Sequence, residues 1–257
     1  MENTTIGILA LIGMIVSIGL GVPIGAAIGI VALLSYWALD SLQHTLTIFG
    51  SVTAETLVNR EMATIPLFLM MGGFATVSGI SSDLFRLAYA FVGQYRGGLA
   101  VSTVFGCAGF GAVCGSSTAT AATMTHVALS EMRKRNYKPG LAAGSIAAAG
   151  TLGILIPPSI AMILYSYLTQ TFILDMFIAA IIPGLLTVLL YWVAIAIVVR
   201  LDPAAGPAGD RLNWRDRWQA IRESWAAILL AGVVGGGIYS GALTVAEGAA
   251  AARSFRS

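Results

Sequence analysis

Two interruptions inside otherwise apolar sequence limit what this chain can fold into. The first occupies residues 109–120, Gly-Phe-Gly-Ala-Val-Cys-Gly-Ser-Ser-Thr-Ala-Thr, and the second residues 152–159, Leu-Gly-Ile-Leu-Ile-Pro-Pro-Ser. Neither carries a charge, and each sits about midway along sequence suited to helices in lipid. An unpaired N–H or C=O costs roughly 2–7 kcal/mol in hydrocarbon, so unwound backbone at membrane depth survives only where it is buried in protein or lines a polar cavity. Two such breaks in one chain point to a solute or ion site.

The double proline can be followed atom by atom. In a continuing helix the N–H groups of residues 157 and 158 would bond the carbonyls of Gly153 and Ile154, but proline has no N–H and its ring clashes with that carbonyl. Each proline also pushes the residue before it out of the helical region, so the helix is expected to stop, with two carbonyls left free for a cation. The other break ends in Ser116, Ser117 and Thr118, N-cap residue types for the helix that follows, and a helix N-terminus favours an anion. A cation beside a carboxylate is the pattern of discontinuous-helix secondary transporters. The alternative is a simple kink at Pro157-Pro158 and a helix-packing face at Gly115-Ser116-Ser117.

Composition sets the class independently. The chain is 57% hydrophobic and 10% charged with mean hydropathy +0.85, too little polar surface for a soluble globule of 257 residues, and it reads as a polytopic all-α membrane protein. Glu2 precedes the first apolar stretch without Lys or Arg, and no Ala-x-Ala cleavage site follows, so that stretch is expected to be a retained membrane segment. Cys107 and Cys114 have no His, Asp or Glu at metal-ligand spacing and read as small buried residues with no disulfide.

In chain order, residues 6–39 read as two short apolar helices split at residues 19–23, and residues 40–62 as an interfacial segment in which His44 is solvated. A span over residues 65–80 is expected to be interrupted at Gly72-Gly73. Ser81, Ser82 and Asp83 are candidate N-caps for a membrane-surface helix to about Gln94, with Leu84, Leu87, Ala88 and Phe91 as its apolar stripe.

Arg96 precedes residues 97–115, and Arg133, Lys134, Arg135 and Lys138 follow residues 116–131, which puts both outer ends on the cytoplasmic side. Two spans or one re-entrant hairpin give the same topology, and the uncharged tip and short legs favour a hairpin over 97–131. Residues 139–168 form the span broken at Pro157-Pro158, and residues 176–200 return inward with Pro183 as a kink. The connector, residues 201–222, ends in a basic, Trp-rich run that reads as a membrane-surface face rather than a nucleic-acid site. In this topology 11 of the 14 Lys and Arg residues lie inside, all but Arg60, Arg253 and Arg256. His126 reads as a packed, hydrogen-bonded histidine rather than a proton relay, and Glu131 with Arg135 as an i,i+4 surface pair. An enzyme is not expected: the chain lacks an intramembrane Asp pair, a His-rich cluster and a Ser-His-acid set at one depth.

The run Gly115-Ser116-Ser117-Thr118-Ala119-Thr120, then Glu131-Met132 with its basic cluster, Tyr137, Gly140-Leu141-Ala142-Ala143, Thr151-Leu152-Gly153 and Ile156-Pro157-Pro158-Ser159, resembles the large membrane subunit of tripartite ATP-independent periplasmic (TRAP) transporters. Gly21-Val22-Pro23-Ile24, Ile65-Pro66-Leu67-Phe68 and the Ala-Ala-Ile-Ile-Pro-Gly run at 179–184 extend the likeness over residues 6 to about 250.

The resemblance implies a hairpin, and a sodium-driven importer of organic acids (C4-dicarboxylate or sialic-acid-like) in the bacterial inner membrane. It also implies a small membrane subunit and a periplasmic binding protein as partners, and no cofactor besides sodium as coupling ion. Ser116, Ser117, Gly153, Ile156 and Pro158 are the candidate sodium-site residues, and Thr118 and Thr120 the candidate substrate residues. Residues 1–62 would be scaffold, 63–200 a transport-type first inverted repeat, and 223–257 the start of a second repeat, with a glycine-rich turn at 238–247. The family continues beyond that point, so a truncated first half is expected. A stand-alone divalent-anion/sodium carrier and a non-transporting membrane fragment are the alternatives.

Overall fold

The computed structural model describes residues 3–58 and 60–239; the turn expected at 238–247 and the residues after it lie outside the described residues apart from the end of the last helix. The fold is all-helical, and the chain divides into two units, Met1–Asn59 and Arg60–Ser257.

The first unit holds α1 (Asn3–Gly19), α2 (Ile24–Leu39) and α3 (Leu42–Val58). Gly21, at φ +86°, turns α1 back onto α2, a conformation that an L-side chain rarely adopts. Of the apolar side chains in α1 and α2 only Ile6 and Ala27 are buried, as expected of helices surrounded by an apolar medium. The hydroxyls of Ser17 and Ser35 bond back to Gly13 O and Val31 O at 2.7 and 2.6 Å, which keeps them satisfied in apolar sequence. His44, half exposed, lies 3.0 Å from the carboxylate of Asp40, the residue that ends α2.

The second unit is built around α6 (Gly98–Cys114), which is apolar on all sides and therefore central. Packed against it are α4 (Arg60–Val77), α5 (Ile80–Val92), α7 (Ser117–Lys134), α8 (Pro139–Gly150), the short α9 (Leu152–Leu155), α11 (Ile173–Leu201) and α13 (Trp225–Tyr239). Between α9 and α11 runs α10 (Ile160–Thr169), and between α11 and α13 the amphipathic α12 (Trp214–Glu223). Glycines set the close approaches: a methyl on Gly150 would stand 2.7 Å from Ala121 Cβ, and one on Gly72 would stand 2.8 Å from Cys114 Sγ. Only α11 is by itself long and apolar enough to cross a membrane among the described helices; two bent pairs, α4 with α5 and α8–α9 with α10, reach that length together. The outward face of α11 (Ile182, Leu185, Leu189) is exposed and apolar.

Several local expectations are corrected. Helix α4 runs unbroken through Gly72-Gly73, because Gly72 serves contact with Cys114; the break falls at Gly79, φ +82°, where the chain bends 65° into α5. Gly79, not Ser81, Ser82 or Asp83, caps α5. The buried face of α5 carries Ser81, Phe85 and Ala90, and Phe91 is exposed with the Arg217 guanidinium 5.9 Å over its ring. Glu131 pairs with Lys134 at 2.7 Å, and Arg135 reaches Asp210 at 2.6 Å instead.

That last contact belongs to a strap. Residues 202–210, expected as a plain connector, are tied to the turns at both ends of the hairpin. Gly97 N donates to Gly206 O at 2.9 Å, Gly209 N to Gly93 O at 3.0 Å and Lys138 N to Ala205 O at 3.0 Å, and Lys138 also pairs with Asp202. Donation from Arg135 holds the Asp210 carboxyl below the usual range, and donation from Lys138 does the same for Asp202. A carboxyl whose folded value is lowered stabilises the fold above its unfolded value near pH 4, and this is lost as pH falls through the lowered value. Amide exchange at Lys138 and Gly97, corrected for intrinsic rates, should therefore quicken below about pH 4 and stay flat from pH 5 to 8. Both pairs are exposed, so the change should be small and salt-sensitive; a strap unchanged at pH 3 would leave the ion pairs without a role.

Candidate functional site

The hairpin tip forms because its sequence stops one helix and starts the next within two residues. Gly115 ends α6 in the left-handed region, φ +65°, with its N–H on Gly111 O at 2.8 Å. Ser116 is extended and caps α7, its Oγ accepting from Ala119 N at 3.4 Å. Thr120 Oγ1 donates to Ser116 O at 2.7 Å, and Thr118 Oγ1 lies 3.2 Å from Ser116 Oγ.

The second break lies directly against this tip. Helix α9 ends at Leu155, residues 156–159 are non-helical, and α10 leaves at 43° to the preceding α8–α9 arm. Ile160 N donates to Gly115 O at 3.3 Å, a backbone bond from one interruption to the other. A methyl on Gly153 would stand 2.6 Å from both Ser116 O and Thr120 Oγ1, one on Gly111 2.8 Å from Gly153 Cα, and one on Gly115 2.8 Å from Pro158 O. Three glycines thus let the two breaks meet backbone to backbone.

The proline argument holds at the atomic level: among the described hydrogen bonds no backbone N–H donates to Gly153 O or Ile154 O. In the same break Ser159, 1% exposed, keeps its Oγ with no hydrogen-bond partner. A buried hydroxyl without a partner costs roughly 1–3 kcal/mol, so this is a place where an added ligand would be stabilising. Unpaired carbonyl and hydroxyl oxygens are the donor chemistry of a hard cation.

Of the residues singled out from sequence, Ser116, Gly153 and Pro158 come together at this contact. Ser117 is half-buried at the first turn of α7. The Ile156 side chain turns the other way, toward α11, where a methyl on Gly184 would lie 3.3 Å from its Cγ1. Thr118 is exposed and Thr120 fully buried, so the two differ in access. Ser159 was missed as a ligand candidate: it closes the Pro-Pro-Ser motif, but that its hydroxyl would be buried and unpaired depends on the hairpin opposite. His126, expected to be packed and hydrogen-bonded, is exposed on a cavity of about 500 Å³ shared with Arg86 and Glu131, and has no hydrogen-bond partner among the described residues.

Comparison with known proteins agrees with this architecture. The family described as "Tripartite ATP-independent periplasmic transporter, DctM component" matches residues 11–254. A C4-dicarboxylate TRAP transporter large permease protein of Pseudomonas aeruginosa is 41% identical over 201 residues, 78% of this chain and 47% of that protein. The Vibrio cholerae protein of the same name is 37% identical, covering 83% and 48%. An ectoine/5-hydroxyectoine TRAP transporter large permease protein of Ruegeria pomeroyi is 34% identical, covering 80% and 50%. The chain spans about half the length of the curated relatives it matches. With two abutting helix breaks in an apolar all-helical fold and a match over residues 11–254, the chain belongs to the DctM, or large permease, family of TRAP transporters.

Proposed function

We propose that this chain is a multi-pass inner-membrane component of a sodium-coupled secondary transporter that imports an organic acid. A periplasmic binding protein delivers the solute, and a small membrane subunit accompanies the permease. The names of the Pseudomonas and Vibrio relatives support a C4-dicarboxylate as the first solute to test, while the ectoine relative indicates that one scaffold carries more than one solute.

One observation supports the ion part: the hairpin tip and the Pro-Pro break are in backbone contact, and the break carries oxygens without hydrogen-bond partners, on Gly153, Ile154 and Ser159. Sodium between them would offset the cost of those groups, with Ser116, Ser117 and Pro158 adjoining. The exposed Thr118 at the positive end of α7 suits the solute carboxylate. Thr120, whose hydroxyl already donates to Ser116 O, supports the tip from beneath.

Thermal unfolding of the purified chain in sodium against potassium, at equal ionic strength, tests this. An ion at ten times its Kd adds about 1.4 kcal/mol, roughly 3–6 °C for a chain of this size. The shift should shrink in Ser159→Ala and in Ser116→Ala/Ser117→Ala, and vanish in Pro157→Ala/Pro158→Ala, where the helix can close its own hydrogen bonds. No shift in the parent, or one that persists in all three variants, removes the ion from this contact.

A further inference from the structure

At the opposite end of α6 from the hairpin tip, about 24 Å away along a helix of this length, lies a second cavity. Its volume is about 480 Å³; Val92, Val101, Trp192 and Ala196 form apolar walls, and Arg96 and Arg200 stand at its rim. Among the described residues no carboxylate lies within ion-pair distance of Arg96 or Arg200, whereas Arg86, Lys134, Arg135 and Lys138 each pair with one. The groove opens onto the apolar face of α11, and two amphipathic rings border it, Tyr95 63% exposed and Trp192 47% exposed. Aromatic rings with one apolar and one polar side gather at the water boundary of a bilayer.

We propose that this groove binds an anionic phospholipid, the Arg96 and Arg200 guanidinium groups holding its phosphodiester and the groove and α11 receiving its acyl chains. The chemistry selects that occupant. Two planar guanidinium forks without counter-ions match phosphate oxygens bidentately, and a second negative charge or an uncharged headgroup fits two cations better than an ammonium does. A soluble anion would satisfy the arginines but leave the valine and tryptophan walls wet. Placing the lipid in the cytoplasmic leaflet rests on the membrane orientation adopted for the transporter reading, in which both arginines face inward.

The test is native mass spectrometry of the full chain in detergent, supplied with phosphatidylglycerol or phosphatidylcholine, with thermal unfolding in parallel. The parent should retain phosphatidylglycerol preferentially. Arg96→Gln or Arg200→Gln should lower that preference about fivefold each, and the pair together roughly 30-fold. Arg96→Lys/Arg200→Lys should keep most of it, which separates charge loss from misfolding, and Arg133→Gln, whose side chain does not line the groove, should leave it unchanged. Equal retention of the two lipids by the parent overturns the proposal, as does a preference that survives Arg96→Gln/Arg200→Gln. Inorganic phosphate that abolishes the preference at millimolar concentration would make the occupant a soluble anion instead. Detergent removes sidedness, so orientation is read separately in cells, where a cysteine at Ala208 should be labelled from the cytoplasmic side. Labelling from outside would reverse the orientation and leave the lipid site standing.

Discussion

Gly153→Ala should lower the thermal stability of the chain by about 2–3 kcal/mol, the upper part of the usual range for forcing an extra carbon into a packed contact. For a chain of this size that is roughly 5–10 °C. The new methyl would lie 2.6 Å from Ser116 O and from Thr120 Oγ1, and 3.0 Å from Ser116 C. Two of those atoms are backbone of the hairpin tip, so they can yield only if the tip moves, and Thr120 is held by its own bond to Ser116 O. Gly144→Ala, on α8, has nothing within 4 Å of the added carbon and should be neutral or stabilising by about 0.5–1 kcal/mol, the helix-propensity gain. Unfolding scans of the two variants in one detergent decide the matter. Equal effects would mean that the two breaks do not touch. Where Gly153→Ala retains its fold it should also lose the sodium shift, because the displaced tip takes Ser116 away from the break.

How much of this was legible depended on whether the signal was local. The stop at Pro157-Pro158 follows from missing N–H groups and the cap at Ser116 from side-chain chemistry, and both stand where the residues put them. Gly72-Gly73 misled because a glycine that permits a bend and a glycine that permits contact look the same in sequence; only Cys114 on the facing helix separates the two uses. The caps expected at Ser81, Ser82 and Asp83 failed for a related reason, since Gly79 two residues earlier takes the left-handed turn that starts α5. Arg135 could have met Glu131 at i+4, yet Asp210 lies 75 residues ahead, and nothing periodic marks it. In sequence the strap looks like a plain connector because its proline, glycine and alanine residues form no periodic pattern, while its hydrogen bonds run through backbone carbonyls that sequence does not display. The same holds at the site: Ser159 is visible as a residue, and its unpaired hydroxyl only as a contact.

The strap's firmest attachment should be a phenol rather than an ion pair. Tyr137, 6% exposed, follows Asn136 in a left-handed turn after α7, and its hydroxyl accepts from Leu99 N at 3.2 Å and donates to Pro207 O at 3.0 Å. Leu99 lies in the first turn of α6, where backbone N–H groups have no intrahelical partner, so this oxygen completes the central helix as well as holding the strap. Tyr137→Phe keeps the ring and removes both bonds, leaving a buried N–H unsatisfied at a cost of about 1–3 kcal/mol. Asp202→Asn and Asp210→Asn, which break exposed, solvent-screened pairs, should each cost less than Tyr137→Phe. Tyr165→Phe on α10, where the side chain is 55% exposed, should stay within about 0.5 kcal/mol of the parent. Thermal unfolding ranks the four variants, and amide exchange at Gly97 and Gly209 reports whether the strap has loosened. If Tyr137→Phe fell no further than Tyr165→Phe, the strap would be held by its own backbone bonds. If the aspartate variants fell further, electrostatics would outweigh the buried hydrogen bonds at this end of the molecule.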